Sequence, residues 1–312
     1  MAEAADIADA APARLSDLIG QRPVVEQVRV ALDAAAQDDK KFDHALLVGP
    51  PGTGKTQTSK VVAAEMGGTY HEVLGQAVRE PADLNALLLG AKDRDVILVD
   101  EAHELEREYQ TALYLALDQR RIIIQGRGGR SPQAIPVADF TVLLATTDEY
   151  RLLQPLRDRM RLVLRFEFYS EADLVELLRR RSRALGWSVD EDVLHPIAGR
   201  SRGTPRLALR LLQACRRVCR ADGEDRVTPA HLERACALDQ IDEVGLGPTE
   251  RQYLRAVADG AARLNVIASR LGLPARTVAE VTEPFLIRLD LLAKDDQGRR
   301  HLTARGRQHL SG

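Results

Sequence analysis

At 312 residues, with 45% apolar and 29% charged side chains, the chain is long enough for two or three globular domains and too apolar to be disordered. No apolar run approaches the ~20 residues that cross a membrane, and the acidic, alanine-rich start MAEAADIADAAPA lacks the basic and apolar regions of a signal peptide. A net charge of −2 excludes a protein that is basic throughout but leaves room for a local basic face.

Residues 1–13 read as a short disordered tail. A short entry segment at 15–21 and an amphipathic helix reaching about residue 36 come next. Residues 46–48 are a buried strand, followed by a glycine-rich loop and a helix to about Met66. A helix is expected at 83–89, where Leu84, Leu87 and Leu88 share a face. VILV at 96–99 is a second buried parallel strand, with Asp100 and Glu101 at its carboxyl end. A helix at 106–118 precedes a β-hairpin, whose strands at 121–125 and 134–137 flank GRGGRSP. Residues 140–145 make a third buried strand, ending in Thr146, Thr147 and Asp148. Buried strands alternating with helices imply a parallel sheet covered on both faces.

From about Tyr169 the pattern is helical only, with helices at 172–185, 190–198, 206–220 and 229–239. Residues 243–248 hold two glycines and a proline and read as a linker. Three short helices then precede a hairpin formed by 291–294, a turn at 295–298 and 299–303, the pattern of a winged helix-turn-helix. Cys215, Cys219 and Cys236 have no further ligands at metal-binding spacing, so buried free thiols in a reducing cytoplasm fit them best. Six lysines stand against 38 arginines, so a single arginine marks a site only through its sequence neighbours.

The strongest local signal is GPPGTGKT at 49–56, which fits G-x-x-x-x-G-K-[ST] and sits between a strand and a helix. Glycines there let successive N–H groups point at phosphate oxygens, and the following helix adds its positive end. The expected nucleotide set is Gly49, Pro50, Pro51, Gly52, Thr53, Gly54, Lys55, Thr56 and Gln57. Lys55 supplies charge to the β- and γ-phosphates, and Thr56 offers a hydroxyl to Mg²⁺. Asp100, 44 residues beyond Lys55, suits the metal's water shell, and Glu101 can polarise the water that attacks the γ-phosphate. His103 couples hydrolysis to the hairpin or caps a turn. Thr146 and Thr147 can sense the γ-phosphate. Arg159 in PLRDR has the place of an arginine finger acting on a neighbouring subunit, and Arg206 in GTPR opens a helix that can close over the γ-phosphate.

These elements, in this order, resemble an AAA+ ATPase, and the finer match is to the RuvB family of Holliday junction branch-migration motors. The carrying strings are DLIGQ (17–21), DHALLVGPPGTGKT (43–56), VILVDEAHEL (96–105), FTVLLATT (140–147) and PLRDR (155–159). FEFYSEADL (166–174), RGTPRLALRLL (202–212) and VTEPFLIR (281–288) complete them, so the resemblance covers about residues 14–305. It implies an α/β AAA+ domain with a P-loop parallel sheet at 14–168, a small helical lid domain at 169–242 and a C-terminal winged helix at 249–312. It further implies that Thr147 is the first sensor, Arg159 the finger and Arg206 the second sensor. Leu18, Ile19, Tyr169 and Pro205 match positions around the adenine, and Arg299 and Arg300 fall at the DNA-facing wing. The partners implied are ATP with Mg²⁺, duplex or branched DNA, further copies of the chain in a homo-hexamer and a RuvA-like junction-binding protein, with no membrane.

The chain departs from the family pattern at four places. Ala102 replaces the usual isoleucine, and RSPQA at 130–134, with Pro132, stands where the family docks RuvA. The Gly-Gly-Pro segment expected between Ala256 and Leu264 is missing, and Asp295 and Asp296 occupy the wing turn. The expected activity is ATP-driven DNA translocation in recombination and repair, by a divergent or paralogous family member. An ATP-controlled DNA-binding switch and a clamp-loader-like subunit are the alternatives.

Overall fold

The computed structural model describes Ile7 and residues 10–124 and 133–311. Most of the expected tail and of the RSPQA stretch, including Arg130 and Pro132, lies outside the described residues. The chain divides into two compact units, one of residues 1–186 with 203–206 and one of 187–202 with 207–312.

Among its described residues the first unit has seven strands: β1 (Ala45–Val48), β2 (Tyr70–Leu74), β3 (Val96–Asp100), β4 (Arg121–Ile124), β5 (Gln133–Pro136), β6 (Thr141–Thr146) and β7 (Leu162–Arg165). Five of them form a parallel sheet in the order β2-β3-β6-β1-β7. The three central strands are apolar without a break because both sheet faces are covered. Leu46, Ile97, Val99, Val142 and Leu144 face one core, with residues from helices Pro81–Gly90 and Arg107–Gln119. Ala45, Leu47, Val96, Leu98, Leu143 and Ala145 face the other, with helices Arg22–Gln37 and Lys55–Met66. The α/β reading is therefore borne out.

β2 and β7 were not foreseen. Both are edge strands, and their half-exposed side chains break the apolar run that makes the central strands visible. The hairpin of β4 and β5 pairs antiparallel, with Ile123 exposed on its surface.

The second unit holds helices Glu191–Arg200 and Pro229–Asp239, and the longer Pro205–Ala221 from residue 207 onward. Ala208, Leu211, Leu212, Cys215, Val218 and Cys219 form the buried stripe of that long helix. All three cysteines are free and buried, and burial pushes the Cys215 thiol up to about 12. The winged helix follows with helices Pro248–Ala258 and Leu264–Leu271, a helical run over 275–288, and the paired strands Leu292–Lys294 and Arg300–Leu302. A further helix, Ala304–Ser311, lies beyond the expected elements.

The expected linker at 243–248 is a closed turn. Asp242 Oδ1 accepts the N–H groups of Val244 and Leu246, and Leu246 is fully buried among Tyr253, Leu254 and Leu286. A glycine- and proline-rich string reads as flexible, but one buried leucine makes it part of a core.

At the start of β3, Asp95 ties three segments together. It accepts the N–H groups of Thr69 at 2.8 Å and Lys92 at 2.9 Å, and His71 Nε2 lies at 3.0 Å. Burial would raise its carboxyl, but the Lys92 amide, His71 and the Thr69 amide outweigh it and hold it down at about 2. A carboxyl depressed in the folded state contributes stability that is full above its unfolded value near 4 and lost as pH falls toward 2. Asp95→Ala is expected to destabilise the first unit by about 2 kcal/mol at neutral pH, because buried donors lose their acceptor. It should also flatten the acid limb between pH 4 and 2, as read by thermal melts across pH.

Candidate active site

All five parallel strands point their carboxyl ends the same way, so the residues that follow them share one rim. β6 lies between β1 and β3, which sets Thr146 between the phosphate loop and the acids. The loop leaves β1 at Gly49, where a Cβ would lie 2.4 Å from the Phe166 carbonyl oxygen, so only glycine fits. Gly52 has a φ of +77°, and an added Cβ would lie 3.2 Å from Arg206 Cβ. The loop is braced from inside by Thr53 Oγ1, which donates to the Pro50 carbonyl at 2.8 Å.

Lys55 is buried, and its Nζ donates to the carbonyls of Gly49 at 2.7 Å and Pro50 at 2.9 Å. Burial lowers its pKa, Glu101 and Asp100 oppose that, and Arg206 lowers it further, so all four groups feel one another. Thr56 Oγ1 donates to Asp100 Oδ2 at 3.0 Å, joining the loop to β3. The Glu101 N–H donates to Asp100 Oδ1 at 2.9 Å, and Glu101 itself is left-handed with φ +49°. That turn aims the two carboxylates differently. His103 Nδ1 lies 3.0 Å from the buried Thr146 Oγ1, whereas Thr147 is exposed at the end of the strand.

The entry segment reaches the same rim. Gln21 clasps the backbone of Glu167, its Nε2 donating to the carbonyl at 2.6 Å and its Oε1 accepting the N–H at 3.1 Å. This fixes half-buried Leu18 and Ile19 beside the connection after β7. The Tyr169 ring packs on Gly20, and its hydroxyl lies 3.5 Å from where a Cβ on Gly54 would stand. Burial, then Asp173, pushes that hydroxyl up to about 12. The Tyr169 N–H donates to the Gly203 carbonyl at 2.8 Å, which brings Pro205 and Arg206 to the loop. Gln57 donates to the Pro12 carbonyl at 2.8 Å, so the end of the expected tail is anchored. The Gln21 clasp was missed; its signal was a polar residue directly before an amphipathic helix.

Three expected site residues remain. Arg159 pairs with Asp118 at 2.5 Å on the helix Arg107–Gln119, and both are about half exposed. No local signal links two residues 41 positions apart. In the winged helix, Arg299 is exposed but Arg300 turns inward. Its Nε donates to Glu283 Oε1 at 2.8 Å and its Nη2 to Oε2 at 3.2 Å. Glu283 is fully buried and also receives the Tyr253 hydroxyl at 2.6 Å and Lys294 Nζ at 2.7 Å. Arg300, expected at the DNA-facing wing, is thus paired with a buried carboxylate that it shares with Lys294, whereas Arg299 stands on the surface. Asp295 accepts the N–H groups of Gln297 and Arg299, so this wing acid shapes the turn.

The glycine loop, the acids on β3 and the arginine over Gly52 define a P-loop ATPase of the AAA+ class. Residues 10–166 match the family model of the Holliday junction DNA helicase RuvB P-loop domain, 169–242 that of the RuvB AAA lid domain and 243–311 that of the RuvB C-terminal winged helix domain. The chain belongs to the RuvB family. It is 38% identical over 299 residues to the Holliday junction branch migration complex subunit RuvB of Anaeromyxobacter sp. (strain K), covering 94% of this chain and 87% of that one. The Kosmotoga olearia protein of the same name is 35% identical over 305 residues, covering 96% and 89%. The solved Thermotoga maritima RuvB Holliday junction branch migration motor superposes with a TM-score of 0.84 at 31% identity, over 97% of this chain and 98% of that one.

Arg300→Ala is expected to destabilise the winged helix by about 3 kcal/mol, since it strips a partner from a buried carboxylate. Arg299→Ala should leave the melting curve unchanged. Denaturant unfolding of the two variants checks the contrast.

Proposed function

We propose that this protein is an ATP-driven DNA motor that moves duplex DNA and drives branch migration of Holliday junctions in recombination and repair. The observation that carries the reading is the 3.0 Å bond from Thr56 to Asp100, which joins a phosphate loop to a hydrolysis strand in a chain that aligns with RuvB over nearly its whole length. The domains run over 14–168, 169–242 and 249–312, and the protein works in the cytoplasm.

Lys55 holds the β- and γ-phosphates, whose oxygens take the acceptor positions now filled by the Gly49 and Pro50 carbonyls. The adenine lies among Leu18, Ile19, Tyr169 and Pro205. The oxygen pair of Thr56 and Asp100 suits Mg²⁺, a hard cation that binds few protein oxygens and completes its shell with phosphate and water. Mg²⁺ at that pair would neutralise charge developing on the phosphates. Glu101 polarises the attacking water and takes its proton, and Thr147 orients the water against the γ-phosphate. Arg206 closes from the start of its helix.

Arg159 completes the site of the next subunit, so the working form is a homo-hexameric ring. Exchanging Asp118 for a phosphate costs little, because an exposed ion pair is worth at most about 1 kcal/mol. The β4–β5 hairpin, with exposed Ile123, is the docking element for a RuvA-like partner. Arg299 contacts DNA phosphates.

Lys55→Ala and Arg159→Ala are each expected to abolish ATP turnover, and mixing the two should restore part of it because a complete site forms wherever the finger of a Lys55→Ala subunit meets the phosphate loop of an Arg159→Ala subunit. Duplex DNA should stimulate the wild-type rate, and a four-way junction should be resolved into duplexes in the presence of ATP. Arg299→Ala should weaken DNA binding and lower the salt slope by about 1. Turnover that no DNA stimulates, or mixed mutants with no recovery, would overturn the motor and the trans finger respectively.

A further inference from the structure

The turn after β3 carries a side chain that none of these roles uses. His103 sits in the short turn Ala102–Glu104, and its ring is only 11% exposed. Its Nδ1 lies 3.0 Å from Thr146 Oγ1 and 3.4 Å from Glu101 Oε2. On the other side, its Nε2 lies 3.4 Å from Glu104 Oε1, which Arg151 holds at 2.7 Å. Thr146 is fully buried, and its hydroxyl oxygen accepts the Asp148 N–H at 3.0 Å.

We propose that His103 is a positioning residue for Glu101 and that Thr146 locks the imidazole in place for that task. The proposal rests on the reading of Glu101 as the carboxylate that activates water. A glutamate has three side-chain torsions, and this one is 43% exposed, so burial does not confine it to one rotamer. A base must nevertheless be held to within about 0.5 Å of its working position. Gly75, just beyond the end of β2, has no side chain to supply the restraint. A Cβ on Gly75, where β2 ends, would lie 2.6 Å from the Glu101 carbonyl oxygen, so no side chain fits there.

The imidazole can supply it. The ring is rigid, it is enclosed, and it touches the carboxylate of Glu101 with the nitrogen that Thr146 fixes. A threonine hydroxyl oxygen has two lone pairs, so with one given to the Asp148 amide the other can accept Nδ1–H, the tautomer in which the same N–H also faces Glu101 Oε2. Glu104, held by Arg151, stops the ring from rotating away on its other side. The restraint therefore runs from β6 through His103 to Glu101, within the first unit. A histidine that merely capped the turn would contribute to stability and leave catalysis alone.

The test measures ATP turnover alongside the dissociation constant of a fluorescent ATP analogue and the melting temperature of each full-length variant. His103→Ala is expected to lower kcat about 100-fold, the cost of a misplaced catalytic group, with nucleotide affinity within about twofold of wild type. Thr146→Val should reproduce that loss and Thr146→Ser should recover most of the rate. The double variant His103→Ala with Thr146→Val should be no slower than the slower single one, because both act on the same carboxylate. Normal turnover in His103→Ala, an equal loss of affinity and rate, or additive losses in the double variant would overturn the proposal. Glu101→Gln separates the two readings. If it binds nucleotide but does not turn over while His103→Ala is normal, only the role of His103 falls. If Glu101→Gln itself turns over normally, the reading of Glu101 falls and the role of His103 with it.

Discussion

Parallel pairing of β6 with β1 on one side and β3 on the other is the constraint from which the site follows. Val48 stands opposite Thr146, and Val99 stands opposite Leu144, so Glu101 emerges level with Thr146. The phosphate loop, the acid pair and the strand-end threonines thus meet without any one of them reaching far. A slip of one residue in either ladder would turn each strand's core residues to the wrong face. The two apolar cores that flank the sheet therefore hold the catalytic register as firmly as they hold the fold.

Charge is handled by the same economy. The chain is rich in arginine, and much of that charge is paired with nearby acids, as in Arg161 with Asp43, Arg165 with Glu149 and Arg179 with Glu176. What separates one arginine from another is burial of its partner. Arg300 neutralises a carboxylate with no exposure, an arrangement costly to break, and it is committed to the winged-helix core. Arg159 and Asp118 face solvent, where water competes for both charges and the pair holds weakly. The first arginine builds structure, whereas the second is free to change partner.

Much of the fold was legible in residue pattern, and the gaps share a cause. The three central strands announced themselves because burial on both faces makes them wholly apolar. β2 and β7 did not, since an edge strand shows solvent half of its side chains. The string at 243–248 looked like a linker because its composition is that of a turn, and nothing local revealed that Leu246 enters a core. The helix Ala304–Ser311 was hidden for a similar reason. Gly306, inside it, packs against the Leu291 carbonyl so closely that a Cβ would lie 2.0 Å away, and a glycine in that place reads as a breaker.

By itself the sequence determined the chemistry: a phosphate loop between strand and helix, two acids at a strand end, and a helical region leading to a winged helix. Those signals are local, because a loop that curls around phosphate and a strand buried on both faces each need particular residues in an unbroken run. Tertiary structure decided which charged side chains are available to act. Arg300 was given Glu283, 17 residues away in the chain, as its partner, and Arg159 was given Asp118. His103 was brought to both Glu101 and Thr146 by the pairing of β3 with β6 and the turn that follows β3. Ion pairs and hydrogen bonds depend on distance in space, and residues far apart in the chain acquire that distance only when the sheet and the cores have formed.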